Sequence, residues 1–381
     1  MSGTTAARAR AEHRSIGRVL KYPGADVATV ESAALLVGSA FFVLGGLVSL
    51  VVFWGRDLPI SGSGSLGEFA AIGGGVAALL AFVAGRYVAD RTPNPALRSE
   101  IGTGLSSPEA KLHWFDVAAL AIAHGIIALL GWLALSTVLE LCFRDAVVFS
   151  LPASALAGVA LALSAYASFL SSVRMTPMLL SLVLAVFLVV GVLASMLSAS
   201  DEHWWQENLS ALGMTDDISA LAFNLTLAIA GAIVTIVARY ATAALPATDP
   251  VDRKGRNSVR LLLILIGIFL ACVGIFHVDD FFWVHNSVAT GMAVCFAILV
   301  FRLPGLVRSI PRVFVLLGYV YVAVIVVVAV FFATGYYNLT AVELVAACLI
   351  FSWIIVFLRT AGAVEDVPAE TAAQPGPGAE Q

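Results

Sequence analysis

Residues 311–333, PRVFVLLGYVYVAVIVVVAVFFA, hold no charge after Arg312 and nothing more polar than Tyr319 and Tyr321. A bilayer hydrocarbon core about 30 Å thick is crossed by roughly 20 such residues in a helix. A barrel strand would alternate apolar and polar positions over about ten residues, whereas this run is continuous, so it reads as a transmembrane helix. Nine more runs of this kind lie between polar loops, near 32–54, 68–89, 115–139, 146–172, 177–199, 216–240, 259–276, 283–301 and 341–358. The tightest joints fall at 139–146 and 276–283. Whole-chain composition agrees: 60% of the 381 residues are hydrophobic, 12% are charged, and the mean hydropathy is +0.96. No soluble globular chain of this length is so apolar. The expected fold class is an all-α integral membrane protein, a polytopic bundle of about ten transmembrane helices.

Lys and Arg are retained on the cytoplasmic side of short loops. Arg8, Arg10, Arg14, Arg18 and Lys21, then Arg91, Arg98 and Lys111, then Arg174, Arg239, Arg253, Lys254, Arg256, Arg260, Arg302, Arg308, Arg312 and Arg359 all fall on one side. Only Arg56 and Arg144 fall opposite, among Asp57, Asp145, Asp201, Glu202, Glu207, Asp216, Asp217, Asp279 and Asp280. Both termini are therefore expected in the cytoplasm. The first thirty residues are basic, but no short apolar stretch with a cleavage site follows them, so the first helix reads as retained. The abundance of Arg, Ala and Gly hints at a bacterial source and thus a plasma (inner) membrane.

Four segments follow: a basic cytoplasmic segment, 1–31; a four-helix half, 32–173; a six-helix half, 177–359; and a tail, 360–381, whose Ala, Pro, Gly and Glu point to disorder. Ser65-Leu66-Gly67 through Arg86-Tyr87 is echoed by Ala211-Leu212-Gly213 through Arg239-Tyr240. Asp145 through Gly158 is likewise echoed by Asp280 through Gly291, which makes the first half a candidate degenerate repeat. Gly38, Gly45, Gly46 and Gly73, Gly74, Gly75 would let helix backbones approach closely. Cys142, Cys272, Cys295 and Cys348 have no Cys-x-x-Cys spacing, so neither a disulfide framework nor a thiolate metal site is expected.

No Walker loop, dinucleotide fingerprint or established catalytic motif is present, so candidate chemistry rests on polar residues in apolar surroundings. Two stretches meet the same non-cytoplasmic surface. In the first, His203-Trp204-Trp205 leads to Ser210 and Gly213, and Asn224 follows about two turns inside the next helix, where its amide needs a partner. In the second, His277, Asp279, Asp280 and His285 crowd a short turn. Ser210, Asn224, His277, Asp280 and His285 are the candidate ligand-binding cluster. His277, Asp280 and His285 are also weak candidates for a divalent metal, although three convergent ligands are not established by spacing. The plainer reading is a polar turn with Asp280 capping a helix and His285 bonded to a neighbour. On the third helix, Asp116 and His124 project within about 80° of each other, Asp116 near water and His124 deeper. His124 is either a proton or ligand group, or a neutral imidazole bonded to a carbonyl or serine. Glu140 and Glu343 are expected at the interface.

Leu209-Ser210-Ala211-Leu212-Gly213, Phe223-Asn224, Gly274-Ile275-Phe276-His277 with Asp280, and His285 with Ala289 resemble the bacterial family called domain of unknown function 998. That family is similar in turn to the group containing the Frag, DRAM and Sfk membrane proteins. The resemblance covers about the last six crossings, and His277 stands where the family more often has Pro. It implies a lipid-related role and no defined reaction. The leading expectation is therefore binding or movement of a polar-headed lipid or amphiphile at the outer leaflet. Membrane lipids are the expected partners, with no nucleic acid and no cofactor. The alternatives are a proton-coupled secondary transporter, a membrane-embedded metal-dependent hydrolase and a structural partner protein.

Overall fold

A computed structural model describes residues 27–91, 112–214, 217–243, 245, 249–308 and 310–363. The basic N-terminal segment up to residue 26, Asp216, and the tail from residue 364 lie outside these. The described residues form ten long helices: α1 (Val27–Val52), α2 (Leu66–Asp90), α3 (Trp114–Cys142), α4 (Ser150–Val173), α5 (Pro177–Ser198), α6 (Ile218–Ala243), α7 (Pro250–Ile275), α8 (Phe282–Leu306), α9 (Arg312–Ala333) and α10 (Leu339–Ala363). Each is long and apolar enough to cross a membrane, so the chain is a multi-pass membrane protein. Helices satisfy every backbone group within one segment, as a lipid interior requires.

Several helices exceed the expected spans, α7 by the most. α7 begins at Pro250, not near Val259, so Arg253, Lys254 and Arg256 ride on its first turns. Asp249 caps it by accepting from the Asp252 N–H at 2.7 Å, and Pro250 suits the first turn, where its missing N–H costs nothing. A search for uncharged runs cuts off such a charged helix end. α10 continues through Ala363, past the expected start of the tail at residue 360.

Hydrogen bonds sort the loops into two sets, as alternating crossings require. At the acidic end, the α1–α2 and α3–α4 loops join as a two-stranded antiparallel ribbon that the helical reading did not foresee. It consists of β1 (Asp57–Pro59) and β2 (Val147–Phe149), with Leu58 opposite Val148. Asn338 Nδ2 donates to Trp205 O at 2.8 Å, linking the α9–α10 and α5–α6 loops. At the basic end, Arg174 pairs with Glu31 at 3.1 Å and Arg239 with Asp116 at 2.8 Å.

The two halves pack differently. In the first, α4 lies between α1 and α2, which scarcely touch each other, and α3 packs on the far side of α2. In the second, each helix from α5 to α10 packs on the next, and α10 returns to α5, closing a six-helix ring. α3 bridges the halves through α5 and α6. One tight seam in the ring is α6–α7, where a Cβ on Gly231 would sit 2.3 Å from Gly267 O, so only glycine permits this approach. Inside the ring, Phe296, Phe314, Trp353 and Phe357 from α8, α9 and α10 pack ring against ring, with Trp353 and Phe357 stacked and Phe296 edge-on to Trp353.

Candidate functional site

The α5–α6 loop winds into two short 3-10 turns, Trp204–Gln206 and Leu209–Gly213, that lie across the acidic end of the ring. Gly213 lets the loop settle on α6: a Cβ there would meet Asn224 Oδ1 at 2.4 Å. In that position Asn224 Nδ2 donates to Gly213 O at 2.9 Å and to His277 Nε2 at 3.0 Å. Three residues earlier in the loop, Ser210 Oγ lies 2.9 Å from His285 Nε2. His285 Nδ1 lies 2.8 Å from Phe276 O. Ser210, Asn224, His277 and His285 thus meet at one end of the bundle, as two hydrogen-bonded pairs.

The bonding selects the tautomer of each neutral ring. A carbonyl oxygen can only accept, so His285 Nδ1 carries its proton and Nε2 accepts from the Ser210 hydroxyl. His277 Nε2 accepts from the Asn224 amide, which leaves the proton of the neutral ring on Nδ1. Neither ring, as bonded, has a lone pair left for a metal. One nitrogen of His277 and one oxygen each of Asp279 and Asp280 do lie within 4.8 Å of one another. The two carboxylates are exposed, however, and a metal would first have to displace Asn224. His285 is 4% exposed and does not join that group. Asp280 does not cap α8, whose capping position is Phe281 with no side-chain bond.

Glu343 belongs to this end more closely than the sequence indicated. Its Oε2 accepts the Leu209 N–H at 2.6 Å, pinning the 3-10 turn to the first turns of α10. A carboxylate one turn into an otherwise apolar helix was the available signal. In the same two segments, the buried oxygens Asn208 Oδ1 and Thr340 Oγ1 have no partner among the described residues.

Asp116 and His124 do not share a site with this cluster. Asp116 is 1% exposed, which overturns the expected access to water. Its Oδ2 accepts from Arg239 Nη2 and the Tyr240 hydroxyl, both at 2.8 Å, and from the His113 N–H at 2.9 Å. The burial follows from α3 crossing α6 at that level, a contact that the hydropathy of α3 alone does not encode. His124 Nδ1 donates to Leu120 O and its Nε2 accepts from Ser171 Oγ, each at 2.8 Å, while its ring packs on Phe82. Its bonds therefore end on a carbonyl and a serine.

A further feature of the acidic end was not visible as a motif. Between α1 and α2, a crevice of about 520 Å³ runs down over Leu161 of α4 and opens sideways along the helices. Its walls are apolar, with Leu44, Val48, Ile72 and Val76 among them, and Arg56 and Glu68 stand at its mouth. Glu68 accepts the Gly64 N–H at 2.6 Å, and its own N–H donates to Ser65 Oγ at 3.0 Å. Arg56 is exposed. The signals available were glycines 45 and 73, which flank Leu161 at the crevice floor, and an arginine isolated on the acidic side.

Residues 181–360 match the model of a family described as "Protein of unknown function (DUF998)". The match covers the six-helix ring, where the sequence resemblance was placed. No curated protein and no solved structure matches the chain.

Proposed function

Starting from a six-helix ring that matches a family of unknown function, joined to a four-helix half with an open crevice, we propose that the protein binds a polar-headed lipid or similar amphiphile. The ligand comes from the outer leaflet, with the basic end of the bundle in the cytoplasm of a plasma membrane. One acyl chain lies in the crevice between α1 and α2, and the headgroup sits beside Arg56 and Glu68. The observation that carries this reading is the crevice itself: about 520 Å³ of apolar space with one cation and one carboxylate at its mouth. That volume falls within the range of about 300–1,000 Å³ in which small-molecule sites lie. Opposite charges at the mouth match a zwitterionic headgroup.

In this reading Ser210, Asn224, His277 and His285 form a clasp that ties the α5–α6 loop and α6 to the α7–α8 turn and α8. Buried polar groups must be matched by one another or by a ligand, and here they match one another. Asp280, beside His277, is exposed and takes no part in the clasp.

The test is binding of a fluorescent phosphatidylethanolamine by the purified full-length chain. Val48→Trp and Ile72→Trp fill the crevice from its exposed walls and leave the packing at Leu161 intact. Each should weaken binding at least tenfold, while Val327→Trp, on the exposed face of α9, leaves it unchanged. Equal binding by all three variants would refute the assignment.

A further inference from the structure

We propose that a second crevice, at the basic end, holds the phosphate headgroup of an anionic phospholipid from the cytoplasmic leaflet. It lies where α4 of the first half faces α5 and α10 of the ring, and it measures about 660 Å³. Leu170, Leu182 and Ile355 give it apolar walls, and Arg174 and Arg359 stand at its rim. The two arginines come from the ends of different helices, α4 and α10, and both line this crevice.

Arg174 is held from one side. Glu31 accepts from its Nη2 at 3.1 Å and also from the Tyr166 hydroxyl, so the carboxylate positions the arginine and uses part of its hydrogen-bonding capacity. A guanidinium has five N–H donors, which leaves others for a ligand. Arg359 is exposed and has no hydrogen bond or ion pair among the described residues. Two cations against one carboxylate give the rim a net positive charge next to apolar walls, which fits a phosphodiester carrying acyl chains and not a soluble anion. Arginine binds phosphate oxygens through paired N–H groups, and basic pockets between helices on the cytoplasmic side select anionic lipids. The remaining hydroxyls are already placed: Thr176 Oγ1 accepts the Leu179 N–H, Ser171 donates to His124, and Ser181 donates to Met178 O.

This inference does not rest on the outer-leaflet reading, since the two crevices lie at opposite ends and share no lining residue. The test compares phosphatidylglycerol and phosphatidylcholine with matched chains, titrated onto the full-length protein in detergent and counted by native mass spectrometry. Phosphatidylglycerol should bind about thirtyfold more tightly, and Arg174→Gln/Arg359→Gln should abolish the difference. Arg359→Gln alone removes no hydrogen bond, so it keeps the fold and should lose about fivefold. Arg253→Gln/Lys254→Gln, elsewhere on the basic end, should change nothing. Equal affinity for both lipids, or full retention by Arg359→Gln, would overturn the proposal. Displacement of the lipid by sn-glycerol 3-phosphate at comparable concentration would also overturn it, by making the site one for a free anion.

Discussion

Removing the Asn224 amide separates a structural clasp from a shared binding recess. Asn224→Ala empties two acceptors at once, Gly213 O and His277 Nε2. Hydrogen bonds between membrane helices average about 0.6 kcal/mol in double-mutant cycles, while a buried group left unpaired costs about 1–3 kcal/mol. With one acceptor on buried Gly213 and the other on half-buried His277, the expected loss is about 1–3 kcal/mol. Equilibrium unfolding of the full chain in mixed micelles, followed by tryptophan fluorescence, would measure it. The sharper number is the coupling. Asn224→Ala with His277→Ala should couple by about 0.5–1.5 kcal/mol, and so should Ser210→Ala with His285→Ala. Asn224→Ala with His285→Ala shares no bond and should be additive within about 0.5 kcal/mol. A cross-coupling as large as those within the pairs would refute the two-pair reading and restore a common ligand between Asn224 and His285.

Other perturbations test separate contacts. Gly267→Ala would place a Cβ 2.5 Å from Thr235 Oγ1 and 2.6 Å from Gly231 O, so it should destabilise the α6–α7 seam by about 1–3 kcal/mol, measurable as a lowered Tm in detergent. Arg239→Gln removes a charged hydrogen bond from buried Asp116 while Tyr240 and the His113 N–H remain. The expected loss is about 1.5–3 kcal/mol, and no change in unfolding would mean that Asp116 does not depend on Arg239. Elemental analysis of purified protein should find no stoichiometric zinc, because His277 Nε2 and both nitrogens of His285 are engaged; one zinc per chain would show that Asn224 gives way. His124→Leu should leave lipid binding at the outer crevice intact, since the bonds of His124 end on Leu120 and Ser171.

The ten crossings were legible because each obeys a rule local to its own residues: an apolar run of sufficient length between polar loops. The misplaced start of α7 shows where that rule stops, since Asp249 and Pro250 signal a helix start while Arg253 and Lys254 interrupt the apolar count. The convergence of Ser210, Asn224, His277 and His285 was also readable, because even numbers of crossings separate these polar residues near helix ends. Their division into two pairs was not, because it depends on how the 3-10 turn at Leu209–Gly213 descends onto α6. The burial of Asp116 and the crevice between α1 and α2 were invisible for a related reason. Both depend on which helices become neighbours, and alanine, glycine and leucine are alike on every apolar face. The short ribbon of β1 and β2 escaped notice because three residues per strand leave no period to detect.

The ring from α5 to α10 is sealed by contacts between its first and last members. A ribosome delivers α5 long before α10, so the six-helix unit stays open on one side until the final span has entered the bilayer. The first four helices have all their principal neighbours by then, including α5 and α6 against α3. A chain stopped before residue 339 would therefore keep one well-formed half and one with an unsealed edge, the kind of surface that membrane quality control recognises. Complete synthesis thus becomes a condition for survival of the second half, and pulse-chase of a truncation at residue 338 against the full chain would read it as a shortened half-life.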